Sequence, residues 1–284
     1  MHFNRFTGEY EDSVGDEYKI DYIIDYDPPA KKALMKKIKT AKAVKEIFDV
    51  SNNTKEKLLE DLFSMDNNDS VEELITLYNA TELLMERTNA TTDGQLKIVK
   101  RIALIMLLEN QESSYEAFYN MAEPSIYYLL NNPFWTSTDV KLASVLSGHT
   151  IDFKTTKSFV EKTVNEARKE KDLDSELTAV FNALKRLILI KYEDLEHSPL
   201  EQGTTLEEVT QFFNFCLETA NKIFSENDFP VMNATAIVRE GIFFKDSKKV
   251  NSALKTLEDL GEDETVRMLT ETIDEIFEIN KEGE

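Results

Sequence analysis

The sequence has a single cysteine in 284 residues, Cys216. One cysteine excludes an internal disulfide framework and any zinc site built from several thiolates. Cys216 lies in the aromatic stretch QFFNFCL, so we expect a buried and unreactive thiol. Glycine and proline are scarce as well, with 8 and 6 residues. So few chain breakers favour helices joined by short connections over a many-turned β-sandwich.

Histidine is also rare, which limits the chemistry that the chain can perform. Asp194 and His197 have the spacing of one half of a helical di-iron motif, but a second such motif is absent. The sequence also lacks a phosphate-binding glycine-rich loop, a Gly-x-Ser-x-Gly nucleophile elbow and a zinc-protease motif. We therefore predict no catalytic residue, no metal site and no cofactor. A helical metal-dependent hydrolase is the least favoured alternative.

Long hydrophobic runs are missing too. No stretch approaches the roughly 18 apolar residues of a membrane span, and the N-terminus has no basic and apolar signal region. We expect a cytoplasmic protein. The abundance of Lys, Asn and Ile fits an AT-rich genome, such as that of many phages, and a virus-encoded chain would act in the host cytoplasm or in the virion.

Charge is plentiful but unbalanced, with 54 acidic and 33 basic residues and a net charge of −21. This balance disfavours direct nucleic-acid binding, which requires Lys and Arg to displace counterions from phosphates. Two interpretations stay open. The carboxylates either keep the protein soluble or imitate nucleic acid in front of a basic partner.

Two segments predict helices that are buried on several sides. LKRLILI, from Leu184 to Ile190, lies within a helical pattern over about 176–195, and VKRIALI, from Val99 to Ile105, resembles it. A helix that is apolar almost all round must be covered by neighbours. We predict a mainly α, irregular bundle of about ten helices around these two. The flanking sequences do not align, so a chance resemblance is favoured over a duplication.

Helix boundaries follow from local signals. Pro124 predicts a break between two short helices over about 114–130. Thr205 and Glu208 form a capping-box pattern, and Gly261 joins two amphipathic stretches into an αα hairpin. The domain organisation predicted from these patterns is an arm over 1–27 and a helical body over 28–284, with a candidate internal boundary near 148–153.

The arm contains apolar side chains at every second position, which is the period of a strand. These residues are Tyr18, Ile20, Tyr22, Ile24 and Tyr26. A lone strand leaves its backbone groups unpaired, so it must find a partner. An intramolecular hairpin, an intermolecular arm that adds to a neighbouring chain and an irregular acidic tail are the three alternatives.

A basic stretch follows the arm. Its lysines are Lys31, Lys32, Lys36, Lys37, Lys39, Lys42 and Lys45. They predict one of two features. The first is a patch that binds nucleic acid or an anionic membrane surface, and the second is a solvated face that pairs with the protein's own carboxylates. Lysine without arginine or interleaved aromatic residues favours the solvated face.

These observations favour a non-catalytic adaptor, scaffold or assembly protein. It would act through helical surfaces and the N-terminal arm, on a protein partner or on further copies of itself. The alternative from a different class is an acidic inhibitor that mimics nucleic acid. An adaptor should expose an apolar patch, whereas a mimic should present rows of carboxylates and bind more weakly as salt rises.

Overall fold

The computed structural model describes residues 2–4, 9–11, 54–65, 71–90, 93–109, 115–194 and 203–279. These ranges contain eleven α-helices, one π-helical turn and two three-residue strands, which confirms the prediction of a mainly α fold. The chain divides into two compact units, Met1–Ile151 and Asp152–Glu284.

In the first unit, one helix contacts all the other described helices. The elements are β1 (His2–Asn4), β2 (Glu9–Glu11), α1 (Lys55–Ser64), α2 (Val71–Thr88), α3 (Gly94–Glu109), α4 (Tyr115–Asn131) and α5 (Ser137–Leu146). The two strands pair antiparallel, with Phe3 opposite Tyr10. Helix α3 packs against α1, α2, α4 and α5. It is therefore the central helix of this unit.

The predicted burial of VKRIALI is confirmed, because this segment forms the middle of α3. Val99 and Ile102 are almost fully buried. Arg101 is also buried, and its Nη1 donates a hydrogen bond to the carbonyl oxygen of Met121 on α4 at 3.4 Å. Lys100 reaches the edge of the helix, where it forms an ion pair with Glu82 at 2.7 Å. Such a helix is stabilised chiefly by its neighbours and not by its own propensity.

The predicted break at Pro124 is wrong, because α4 continues through this residue from Tyr115 to Asn131. Proline removes the N–H that would bond the carbonyl four residues earlier and costs about 3 kcal/mol inside a helix. Met121, Ala122 and Ile126 lie around Pro124 and are fully buried. Burial of each large apolar side chain contributes about 1.5–3 kcal/mol, which offsets the lost hydrogen bond. Tertiary packing therefore overrides the local signal.

The second unit is built around another central helix. Its elements are α6 (Phe153–Glu170), α7 (Leu173–Leu189), the π-helical turn Ile190–Asp194, α8 (Leu206–Glu226), α9 (Pro230–Phe244), α10 (Ser247–Asp259) and α11 (Asp263–Ile279). Helix α7 packs against α6, α8 and α9. Helix α9 also packs on α10, and α10 packs on α11.

The predicted burial of LKRLILI is likewise confirmed. Leu184, Leu187 and Ile190 are fully buried in the core of the second unit, whereas Lys185 is exposed. The sequence pattern did not predict that Arg186 would be completely buried as well. Buried arginines are uncommon, so the hydrophobic periodicity of α7 alone could not reveal the burial of Arg186.

Local signals define several helix ends of this unit. The capping box predicted at Thr205 is present, with Glu208 N–H donating to Thr205 Oγ1 and Thr205 N–H donating to Glu208 Oε2. The predicted αα hairpin is also present, with Gly261 at a positive φ of 81° between α10 and α11. Helices α6 and α9 end instead at lysines in the left-handed conformation, Lys171 and Lys245, with φ of 57° and 56°.

Candidate interaction surface

The side chains predicted from the sequence to form contacts lie outside the described residues. These are Tyr18, Ile20, Tyr22, Ile24 and Tyr26 of the arm, and Lys31, Lys32, Lys36, Lys37, Lys39, Lys42 and Lys45 of the basic stretch. Their roles stay predictions. The surfaces that the structure describes belong to the helices of the two units.

Metal-binding side chains do not converge in the described ranges, where no group of three or more His, Cys, Asp or Glu residues could hold an ion. One histidine does meet a carboxylate, since His149 Nε2 lies 3.1 Å from Glu109 Oε1. A single imidazole and carboxylate fall short of the three protein ligands of a catalytic zinc site. Among the described helices, none is long and apolar enough to cross a membrane.

Two of the shifted pKa values in the second unit belong to buried groups. Burial lowers the pKa of Arg239 to about 10, and its Nη1 donates to the carbonyl oxygen of Phe181 at 2.6 Å. The guanidinium also lies 3.9 Å from the centroid of the Phe181 ring. Burial raises the pKa of the Cys216 thiol, which fits the predicted unreactive cysteine. These groups have structural roles in the contacts that α7, α8 and α9 make.

Phe134 is the most exposed large hydrophobic side chain in the described part of the protein, with 84% of its surface accessible. Six other large hydrophobic residues in these ranges are exposed, with 38% to 52% of their surface accessible: Val71, Leu173, Leu206, Phe244, Leu260 and Met268. Each of those six has a charged residue directly beside it in the sequence, whereas Phe134 stands between Pro133 and Trp135. Phe134 is therefore the one that combines exposure with an uncharged setting.

Residues 132–135, which we name the aromatic loop, connect α4 to α5. The loop begins tightly, because the Asn132 N–H donates to the carbonyl oxygens of Tyr128 and Leu129 at 3.1 and 3.2 Å. An Asx turn follows, in which the Oδ1 of Asn132 accepts a hydrogen bond from the Phe134 N–H at 3.1 Å. Such Asx turns fix a chain direction locally. The backbone that carries Phe134 is thus held from its N-terminal side.

The C-terminal side of the loop is fixed as well. Trp135 Nε1 donates to the carbonyl oxygen of Leu129 at 2.8 Å, which ties the indole back to the end of α4. Thr136 then caps α5, and Asp139 Oδ2 accepts from the Thr136 N–H at 2.8 Å and from its hydroxyl at 2.7 Å. Gln95 Nε2, near the start of α3, donates to Asp139 Oδ1 at 2.9 Å.

A close helix contact lies next to the loop. A Cβ atom at Gly94, in the first turn of α3, would stand 2.2 Å from the hydroxyl oxygen of Tyr128 on α4. Glycine at this position leaves room for the end of the Tyr128 side chain, which therefore packs directly on the start of α3. The base of the loop is therefore part of the packed unit.

The aromatic loop lies in the longest uncharged stretch of the chain, which runs for 15 residues from Pro124 to Thr138. In a sequence with 31% charged residues this stretch contains two tyrosines, the exposed phenylalanine and the only tryptophan. The cores of protein interfaces are depleted in charge and enriched in aromatic residues. We did not predict this surface from the sequence, although the length of the uncharged stretch was a signal that could have indicated it.

The chemistry of the loop is that of recognition. Its neutral side chains have no group that could act as an acid, a base or a nucleophile near pH 7. They offer a large apolar ring in water, on a backbone held at both ends. Comparison with known proteins adds no further function, because no family model matches the chain and no curated protein or solved structure is significantly similar to it.

Proposed function

We propose that this chain is a non-catalytic interaction or assembly protein that binds another protein through the aromatic loop. The observation that carries the proposal is Phe134, 84% exposed in the uncharged stretch of a strongly charged chain. Leaving such a side chain in water forgoes about 1.5–3 kcal/mol of burial. Interfaces recover this free energy, and aromatic anchors carry much of their binding energy.

Hydrogen bonds on both sides of Phe134 support the same proposal. A flexible loop could fold its phenylalanine back onto the protein, but the bonds of Asn132, Trp135 and Thr136 hold the backbone in place. The loop therefore loses its conformational entropy when the protein folds and not when it binds a partner. The arm residues Tyr18 to Tyr26 are a second candidate interaction site, which would add a strand to the sheet of a neighbouring chain by β-augmentation.

A nucleic-acid mimic is the second candidate, and the turn between α10 and α11 favours it. Glu258, Asp259 and Asp263 are exposed there, close together in the sequence. A decoy would hold such carboxylates in a row for the basic groups of its target. On α11, however, Arg267 forms ion pairs with Glu264 and, at 2.9 Å, with Glu271, which neutralises part of the acidic charge that follows this turn. The interaction proposal therefore ranks first.

Site-specific photo-crosslinking tests the proposal in cells that naturally make the protein. Benzoylphenylalanine is placed singly at Phe134, at Asp259 and, as an exposed polar control on α6, at Asn165. We expect one defined protein adduct from position 134 and none from 165, and the purified adduct partner should bind the full chain in a titration. An adduct from position 259 alone, in a complex that dissociates as salt rises, would favour the mimic. The absence of any adduct together with a monomeric protein would contradict both.

A further inference from the structure

We infer that Phe134 is the anchor residue of this contact, and that its partner is a different protein with an apolar pocket bordered by basic side chains. The inference rests on the proposed function and adds the chemistry of the partner. Three observations carry it: the exposure of the ring, the absence of charge around it in the sequence and the charge of the whole chain.

The exposure of Phe134 calls for a pocket and not for a flat surface. With 84% of the residue's surface accessible, Phe134 extends into solvent. A flat partner would cover one side of such a ring, whereas a pocket can enclose it. Anchors of this kind cluster in desolvated pockets at interface centres. Because the loop backbone is already ordered, enclosing the ring requires little further loss of conformational freedom.

The uncharged setting favours an apolar lining of the pocket. Insertion of Leu206 or Met268 into a pocket would bring Glu207 or Arg267 towards the desolvated interior. Removing such a charge from water costs several kcal/mol unless it meets a partner group. In the sequence, the charged residue nearest to Phe134 is Asp139, which already accepts hydrogen bonds from Thr136 and Gln95. Burial of Phe134 therefore draws no charged sequence neighbour into the pocket.

The net charge decides between a second copy and another protein. Each copy of the chain has a net charge of −21, so two copies repel each other as they approach. A protein with basic groups around its pocket is attracted instead, and this attraction raises the association rate and selects the partner. The neutral aromatic loop then forms the centre of the interface, and the net negative charge of the chain attracts the basic border of the pocket.

Binding of the full-length protein to the purified partner captured at position 134 provides the test. We expect Phe134→Ala to raise the dissociation constant by roughly 30-fold or more, since truncation of an anchor residue lowers the affinity by at least that factor. Phe134→Leu should lose less because it keeps an apolar side chain. The control Leu206→Ala removes an exposed hydrophobic residue beside charges and should change affinity by less than about threefold. A change of less than about threefold for Phe134→Ala would overturn the inference.

Two further measurements test the pocket and its border. Trp135 is the only tryptophan, so a shift of its emission to shorter wavelength on binding is expected when the loop enters an apolar site. The dissociation constant should rise steadily from about 50 to about 500 mM salt, because exposed charges are screened over this range. An affinity independent of salt would overturn the basic border, and a stable homodimer in sedimentation would overturn the choice of partner.

The outcomes separate this inference from the proposed function. If the partner binds with full affinity to Phe134→Ala and its contacts map to another surface, Phe134 is not the anchor but the protein is still an interaction protein. If no partner is captured at any position and the protein is monomeric, both conclusions fail. Asn132→Ala, which removes the acceptor for the Phe134 N–H, should weaken binding by about three- to tenfold while Phe134 itself is kept.

Discussion

Replacing Asp139 by alanine should loosen the support of the aromatic loop and destabilise the first unit. The Asp139 carboxylate is 4% exposed and accepts three hydrogen bonds, two from Thr136 and one from Gln95. Hydrogen bonds to a charged group contribute about 1.5–3 kcal/mol each, which sets an upper limit near 4.5–9 kcal/mol. Thr136 is exposed and Gln95 is partly exposed, so water can replace part of this loss. The N-cap of α5 is kept in this variant, because Thr136 Oγ1 accepts from the backbone N–H of residue 139, at 3.3 Å in the wild type. We therefore expect a destabilisation of roughly 3 kcal/mol.

Urea denaturation followed by Trp135 emission measures this change, because the single tryptophan lies in the affected loop. With a slope of about 2 kcal/mol per molar urea, 3 kcal/mol lowers the midpoint by roughly 1.5 M. The control is Asp228→Ala, which removes the same charge from an exposed position between α8 and α9. Asp139→Asn should lose less than alanine, since one oxygen remains. A midpoint for Asp139→Ala within about 0.25 M of the wild type would refute the reasoning.

Three further perturbations concern the second unit. Gly241→Ala should destabilise by about 1–2 kcal/mol in thermal denaturation, because the new Cβ would lie 2.7 Å from Val250 Cγ2, and a stabilised variant would contradict this close packing. Iodoacetamide should leave Cys216 unmodified in the folded protein and modify it in urea, because burial raises its thiol pKa; mass spectrometry of the native sample decides this. Hydrogen bonds from Thr205 lower the pKa of Glu208 below its ordinary 4.5, so its ionised form stabilises the fold above that pH and the stabilisation is lost on acidification. Glu208→Gln should therefore be less stable than the wild type at neutral pH, and the difference should shrink as the pH falls below 4.5. A difference that stays constant on acidification would count against this cap.

The sequence predicted those parts of the fold that depend on short-range rules. The buried central helices around Ile102 and Leu187 were predictable because a helix without a polar face must be covered. The capping box at Thr205 and the hairpin at Gly261 depend on residues within a few positions of each other, so their signals survive in any tertiary setting. Such features are fixed by the local chain.

What the sequence could not show depends on contacts between distant residues. Pro124 continues a helix because its surroundings are buried, and Arg186 is buried although a charged residue is expected at the surface. The candidate surface was missed for the opposite reason. An apolar residue such as Phe134 is expected inside, and its exposure follows from the bonds of Asn132 and Trp135 to the end of α4.

The left-handed lysines at the ends of α6 and α9 leave room for engineering. A residue with a Cβ atom is strained by about 1 kcal/mol in this conformation, which glycine adopts freely. Lys171→Gly and Lys245→Gly would relieve that strain, although each removes a positive charge that favours a helix C-terminus by about 0.3–1 kcal/mol. Together they would change the net charge from −21 to −23. The net gain for Lys171→Gly is then about 0–0.7 kcal/mol. Lys245→Gly also removes the contact of Lys245 Nζ with the Tyr192 ring at 5.2 Å, so Lys171 is the better position, and Phe134 and its supporting bonds stay as they are.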